Sequence, residues 1–164
     1  MRSYFLTALL VAAVLLGACS KEQNVIAADP VISVPFDPTA ADFINGLGTA
    51  TVSGRTYHGQ THTGEFASLQ LIPVTAYSVE YMRLLFGGNK AYYTPVRVAN
   101  VDDGFKRYQR RARADGKGMF KFSGVPPGDY FVYSQLVENR AGVALHERIT
   151  VGKGQKLQVD VSGS

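Results

Sequence analysis

From Gly48 onward, apolar and polar positions alternate with the period of two that marks half-buried strands. Thr49-Ala50-Thr51-Val52-Ser53 is β-branched in character and predicts a first strand ending at Gly54. Between Phe66 and Val74, Ala67, Leu69 and Leu71 fall on one side, and Ser68 and Gln70 on the other. Lys106 to Ala114 reads as a polar, basic strand with Tyr108 and Ala112 interspersed. Met119 to Phe122, Tyr130 to Tyr133, Gly142 to Val151 and Leu157 to Val161 follow, most of them divided by Gly-Lys or Asp-Gly turns. About seven short strands at this spacing predict an all-β fold, a β-sandwich. One segment breaks the pattern. Tyr77, Val79, Tyr81, Met82, Leu84 and Leu85 recur as on a helix over Thr75 to Phe86, with Thr75 or Ser78 to cap its start and Gly87-Gly88 to end it.

The most specific run inside the domain extends from Asp115 to Tyr130. Asp115-Gly116 and Gly118 make a tight turn that needs positive φ. Phe120 and Phe122 then share one face of a strand and feed the core together. Pro126-Pro127-Gly128 bends the chain, after which Tyr130 and Val132 alternate inward. This order of aspartate, glycine, two aromatics, glycine, valine, two prolines, glycine and tyrosine resembles the signature of carboxypeptidase regulatory-like domains. The resemblance covers residues 47–162 and includes the opening strand and Ala67-Ser68-Leu69-Gln70-Leu71-Ile72-Pro73. It implies a seven-stranded transthyretin-like (prealbumin-like, Ig-like) β-sandwich that serves as a structural or interaction module and not as a catalyst. The departure is an insert from Thr75 to about Gly104, longer than the hairpin usual there and carrying the short helix.

The N-terminus is of another kind. Arg2 supplies a positive start, Phe5 to Leu16 is apolar, and Gly17-Ala18 offers a small-residue cleavage site. That is an export signal, too short for a membrane span. Leu16-Gly17-Ala18-Cys19 resembles the lipobox of bacterial lipoproteins. The resemblance implies cleavage between Ala18 and Cys19, with diacylglycerol on the cysteine sulfur and a further acyl chain, commonly palmitate, on its amine. Two or three such chains hold a protein stably on a membrane. Ser20, in place of the aspartate that retains many such proteins in the inner membrane, favours by analogy the outer membrane, facing the periplasm. The organisation expected is a signal peptide over 1–18, a proline-bearing tether over 19–46 with the lipid on Cys19, and a domain over 47–164. Val31, Ile32, Val34 and Phe36 are more apolar than a solvated tether needs and are candidates to dock on that domain.

Composition narrows the classes. The 164 residues carry 17 basic and 13 acidic side chains, a net charge of +4. Removing residues 1–18 takes Arg2 with it and leaves +3, well short of a nucleic-acid binder. Cys19 is the single cysteine, so once acylated it leaves packing alone to hold the domain.

Candidate chemistry is sparse. His58 and His62 lie four apart in a glycine- and threonine-rich stretch that reads as loop, and with His146 they are weak candidates for a metal. No nucleophile elbow or calcium loop is present, no cofactor is implied, and no enzymatic activity is expected. Lys106, Arg107, Arg110, Arg111 and Arg113 form the densest charge cluster. On a strand, Lys106 and Arg110 would face one side, and Arg107, Arg111 and Arg113 the other. Basic residues on both faces protect an edge strand or contact an anionic partner. Of the tyrosines, Tyr92 and Tyr93 in the insert are those expected to be exposed. The candidate binding surface is therefore Tyr92, Tyr93, Arg107, Arg110, Arg111 and Arg113. The function expected is a lipid-anchored envelope module that binds or scaffolds protein partners. The alternatives are a carbohydrate- or peptidoglycan-binding module and a metal-binding protein.

Overall fold

The computed structural model describes residues 28–60, 62–93, 97–138 and 141–163. Cys19, Ala18 and the signal-peptide assignment lie outside the described residues. Two five-stranded sheets pack face to face. In the first, β1 (Ala50–His58) runs through the middle. It pairs antiparallel with β2 (His62–Thr63) and β6 (Met119–Val125), and parallel with β9 (Lys156–Gln158) and β10 (Val161–Gly163). The second sheet has the order β4 (Ala91–Tyr93), β8 (Ala141–Val151), β7 (Gly128–Glu138), β3 (Ser68–Pro73), β5 (Arg110–Arg113), all antiparallel. The all-β sandwich expected from the alternation is the fold observed.

The main core lies between the sheets. Val52, Leu69, Leu71, Phe120, Phe122, Tyr130, Val132, Leu145 and Val161 all face it. Ala67, Leu69 and Leu71 point inward together, as do Phe120 with Phe122 and Tyr130 with Val132. The Asp115 carboxylate accepts the Lys117 and Met119 N–H groups, closing the turn, and Gly118 and Gly128 take positive φ of 76° and 154°. Tyr130 Oη donates to the Pro126 carbonyl at 2.8 Å, tying the proline bend to the strand that follows it.

The outer face of the second sheet is covered as well. Helix α2 (Ala76–Phe86) lays Tyr77, Met82, Leu85 and Phe86 on Ile72, Phe131, Tyr133 and Ala144. Its ends follow the sequence signals. Thr75 and Ser78 cap each other's backbone N–H groups, and Gly87 stops the helix in the left-handed region at φ 56°. The insert is thus a layer of the fold. Its β4 extends the second sheet along β8.

Three strand boundaries differ from expectation. β1 does not end at Gly54 but runs on to His58. Gly54 is there for a close approach: a Cβ would stand 1.7 Å from the Val159 carbonyl oxygen. The expected strand Leu157 to Val161 is split into β9 and β10, because Asp160 breaks the ladder and its carboxylate accepts the Arg55 N–H instead. The basic strand Lys106 to Ala114 is split too. Its first part is a short helix, α3 (Asp103–Arg107), with Asp102 Oδ1 accepting the Gly104 N–H at 2.6 Å and Phe105 buried. With these pieces, the described residues hold ten strands rather than about seven.

Residues 28–46, the second half of the expected tether, lie against the sandwich. Val31 bridges to Ala99, and Ile32 is buried beneath α2. A single turn, α1 (Pro38–Ala41), and a 3₁₀ turn (Asp42–Asn45) then carry Ile44 into the main core and set the Phe43 ring 5.4 Å from that of Tyr130.

Candidate functional site

Residues 31–38 form a strap over the second sheet, and its fastening is specific. The Glu80 carboxylate, on α2, accepts the Ser33 N–H, the Val34 N–H and the Ser33 hydroxyl at 3.0, 2.8 and 2.7 Å. Asn100 accepts the Ile32 N–H and donates to the Ile32 carbonyl. Beyond this clamp the Phe36 ring settles among Tyr77, Phe105 and Tyr108, with centroids 5.5–5.9 Å apart. Tyr77 also accepts the Asp102 N–H at 2.7 Å, which fixes the entry to α3.

Strap, 3₁₀ turn and α3 enclose a cleft of about 550 Å³. Phe36, Pro38 and Tyr108 give it apolar walls. Asn45, Asp102 and Arg107 give it polar ones. Arg107 is exposed and makes no hydrogen bond or ion pair among the described residues, whereas its neighbour Lys106 is bound to Asp103. Concave, mainly apolar sites with a few converging polar groups are the usual form of small-ligand sites.

The Glu80 clamp titrates. The Val34 N–H, then the Ser33 hydroxyl, hold its carboxyl below the ordinary value of 4.5. A depressed carboxyl contributes stability that is complete above the unfolded value and is lost as the pH falls through the folded one. The Ser33 and Val34 amide resonances should therefore shift together on acidification below about pH 4.5. Glu80→Gln should abolish that titration, and unchanged titration in this variant would show that another group drives it.

The sequence candidates are dispersed. Arg110 is half-buried and its guanidinium is consumed by main-chain carbonyls. Nε and Nη2 donate to Ile44 O, Nη2 also to Gly46 O, and Nη1 to Gly124 O. Arg113 donates to Phe66 O and lies over the Phe66 ring. Arg111 is exposed on β5, and Arg107 alone of the four reaches the cleft. Because α3 interrupts the basic run, the face shared by Lys106 and Arg110 does not exist. Tyr92, expected to be exposed, is half-buried, with its ring 4.8 Å from that of Phe86 and its hydroxyl 3.4 Å from that of Tyr133. Tyr93 pairs with Val143 on β4.

The stretch that reads as loop from its glycines and threonines is a hairpin, in which His58 and His62 are in register across β1 and β2. His146 is elsewhere, its ring 4.2 Å from Phe86 under the end of α2, where burial lowers its pKa. Among the described residues no group of three or more His, Cys, Asp or Glu side chains is placed to hold a metal ion. Nor is any described helix long and apolar enough to cross a membrane.

Pro38 reads from sequence as a tether proline, Asn45 as part of a short turn over Asp42 to Asn45, and Asp102 as a turn, so none of the three is a site candidate there. Asp102-Asp103-Gly104 ahead of Phe105, with Lys106 and Arg107 closing, is nevertheless a helix start and stop signal.

No family model matches the chain, and no curated protein matches it. Among solved structures it is similar to a candidate carbohydrate-binding protein of Pseudomonas aeruginosa, at 22% identity over 79% of this chain and 98% of that one, with a TM-score of 0.66. A DUF3823 family protein of Parabacteroides merdae matches at 14% identity over 71% of this chain and 46% of that one (TM-score 0.37). A minor pilin of Streptococcus agalactiae matches at 14% identity over 72% and 46% (TM-score 0.33). The first of these likenesses establishes the sandwich fold.

Proposed function

We propose that this protein is a lipid-anchored, non-catalytic module of the bacterial envelope that binds carbohydrate in the cleft between the strap and α3. The observation that carries this reading is the cleft's composition. The Phe36 and Tyr108 rings supply flat apolar surface for the C–H faces of a sugar. Asn45, Asp102 and Arg107 beside them supply donors and acceptors for its hydroxyls. The Pseudomonas aeruginosa protein, itself a candidate carbohydrate binder, has the same fold. Cys19 supplies location: an acylated cysteine ahead of the strap would hold the cleft close to a membrane.

The protein-partner reading rests on Tyr92, Tyr93, Arg107, Arg110, Arg111 and Arg113 as one contact surface. With Arg110 and Arg113 engaged by backbone carbonyls, its arginines are reduced to Arg107 and Arg111. Glycan-array binding tests the carbohydrate reading. The full chain should bind a subset of glycans, and Phe36→Ala and Arg107→Ala should each lower that binding by about tenfold, the effect of one lost ring contact or charged hydrogen bond. Undiminished array binding in both variants would move the site away from this cleft.

A further inference from the structure

The outer face of the first sheet carries more cations than carboxylates. On β1, Ala50, Val52 and Thr56 point into the core, so Thr51, Ser53, Arg55 and Tyr57 point outward. Register sets Met119 beside Arg55 and Lys121 beside Ser53, and it sets Ser123 and Lys156 on either side of Thr51. Lys117 and Lys153 lie in the adjoining turns. These five strands, the turns 114–118 and 152–155 and the links 64–67 and 159–160 hold five cations, Arg55, Lys117, Lys121, Lys153 and Lys156, against three carboxylates, Glu65, Asp115 and Asp160.

Two of the three carboxylates are occupied by backbone. Asp115 takes the Lys117 and Met119 N–H groups, and Asp160 takes the Arg55 N–H. None of the five cations forms an ion pair among the described residues. The Arg55 guanidinium lies over the Tyr57 ring, 5.7 Å from its centroid. Two shallow grooves meet at Arg55 and Thr63: one of about 250 Å³ reaches Tyr57 and Gln60, the other, of about 350 Å³, reaches Lys117 and Met119. Hydroxyl and amide side chains thus alternate with unpaired cations over a flat sheet. The strap enters on the opposite side of the sandwich, where Ile32 packs beneath α2 on the outer face of the second sheet.

We propose that this face docks an acidic polysaccharide, whose carboxylates engage Arg55, Lys117, Lys121 and Lys156 while its hydroxyls meet Thr51, Ser53 and Thr63. Charge complementarity and the interleaved hydroxyls fit a carboxylate-bearing glycan. The surface is independent of the cleft.

The test uses the full chain carrying Cys19→Ser, so that vesicle binding reads the folded face alone. The probes are polygalacturonate, neutral dextran and phosphatidylglycerol vesicles. Polygalacturonate should bind more tightly than either of the others, and raising the salt from about 50 to about 300 mM should weaken it by about tenfold or more, since exposed charges are screened. Arg55→Ser, Lys117→Ser, Lys121→Ser and Lys156→Ser together should lower binding by at least about tenfold, with the charge-preserving Arg55→Lys retaining most of it. Should the combined variant lose its fold, Lys121→Ser and Lys156→Ser, both on exposed positions, should each weaken binding about twofold to threefold. Phe36→Ala should leave polygalacturonate binding unchanged. The proposal is overturned by absent polygalacturonate binding, by unaltered binding in folded variants, by loss in Phe36→Ala, which would place the acidic glycan in the cleft, or by tighter binding to vesicles.

Discussion

Gly54→Ala is expected to leave little folded protein at 25 °C. Gly54 is buried in the middle of β1, and a Cβ there would stand 1.7 Å from the Val159 carbonyl oxygen and 2.6 Å from its carbon. Both obstructing atoms are backbone, so no rotamer change relieves the clash. The segment has to move, and with it goes the Val159 N–H bond to the Ser53 carbonyl, at the point where β9 and β10 join β1 in parallel. Val161, fully buried, would be drawn from the core. Displacement of this kind belongs to the rare severe class, above about 4 kcal/mol, against a total stability of about 5–15 kcal/mol. Circular dichroism melting of the variant should show either no cooperative transition or a midpoint lowered by more than about 15 °C. A Gly54→Ala protein melting within about 5 °C of the parent would refute this account of the first sheet.

Arg110→Met should cost about 3 kcal/mol, since hydrogen bonds from a charged donor contribute about 1.5–3 kcal/mol each and are only partly additive. The Arg110 guanidinium joins β5 to two pieces of chain that no ladder connects to it: Ile44 and Gly46 around the end of the 3₁₀ turn, and Ser123 and Gly124 near the end of β6. Methionine keeps the stem and leaves those carbonyls without their donor. Arg111→Met, one residue along and pointing to solvent, should change stability by less than about 0.5 kcal/mol. Equal midpoints for the two variants would show that the carbonyl contacts of Arg110 are not stabilising. The same comparison explains why replacing Arg107, Arg110, Arg111 and Arg113 together would be a poor probe of binding: the fold would suffer with the surface.

The fold was legible where a local rule coincided with the tertiary need. Leu69 and Leu71, Phe120 and Phe122, and Tyr130 and Val132 alternate because one face meets the other sheet. Thr75, Ser78 and Gly87 bound α2 by the same capping chemistry they would use in isolation. Legibility failed where a distant segment decided. Gly54 reads as a breaker until Val159 is seen to press on it. Lys106 and Arg107 read as strand because the arginines beyond them are strand, and only Asp102 hints at the helix turn. Arg110 reads as a surface charge because nothing near it in sequence announces four carbonyls from 13 to 66 residues away. The cleft has the same origin. Phe36 and Asn45 come from one stretch, Asp102 to Tyr108 from another, and the carboxylate of Glu80 is what brings the first to the second.

The central claim is that this assembled cleft is the ligand site. The most direct measurement is a ¹⁵N-resolved NMR titration of the full chain with a neutral oligosaccharide panel, including chitohexaose and maltohexaose. The account predicts that at least one sugar shifts the amides of Asn45, Gly104, Arg107 and Tyr108 as a contiguous set, and that Phe36→Ala removes those shifts while the sandwich core resonances stay in place. Sugar-induced shifts confined to other surfaces, or none across the panel, would contradict it.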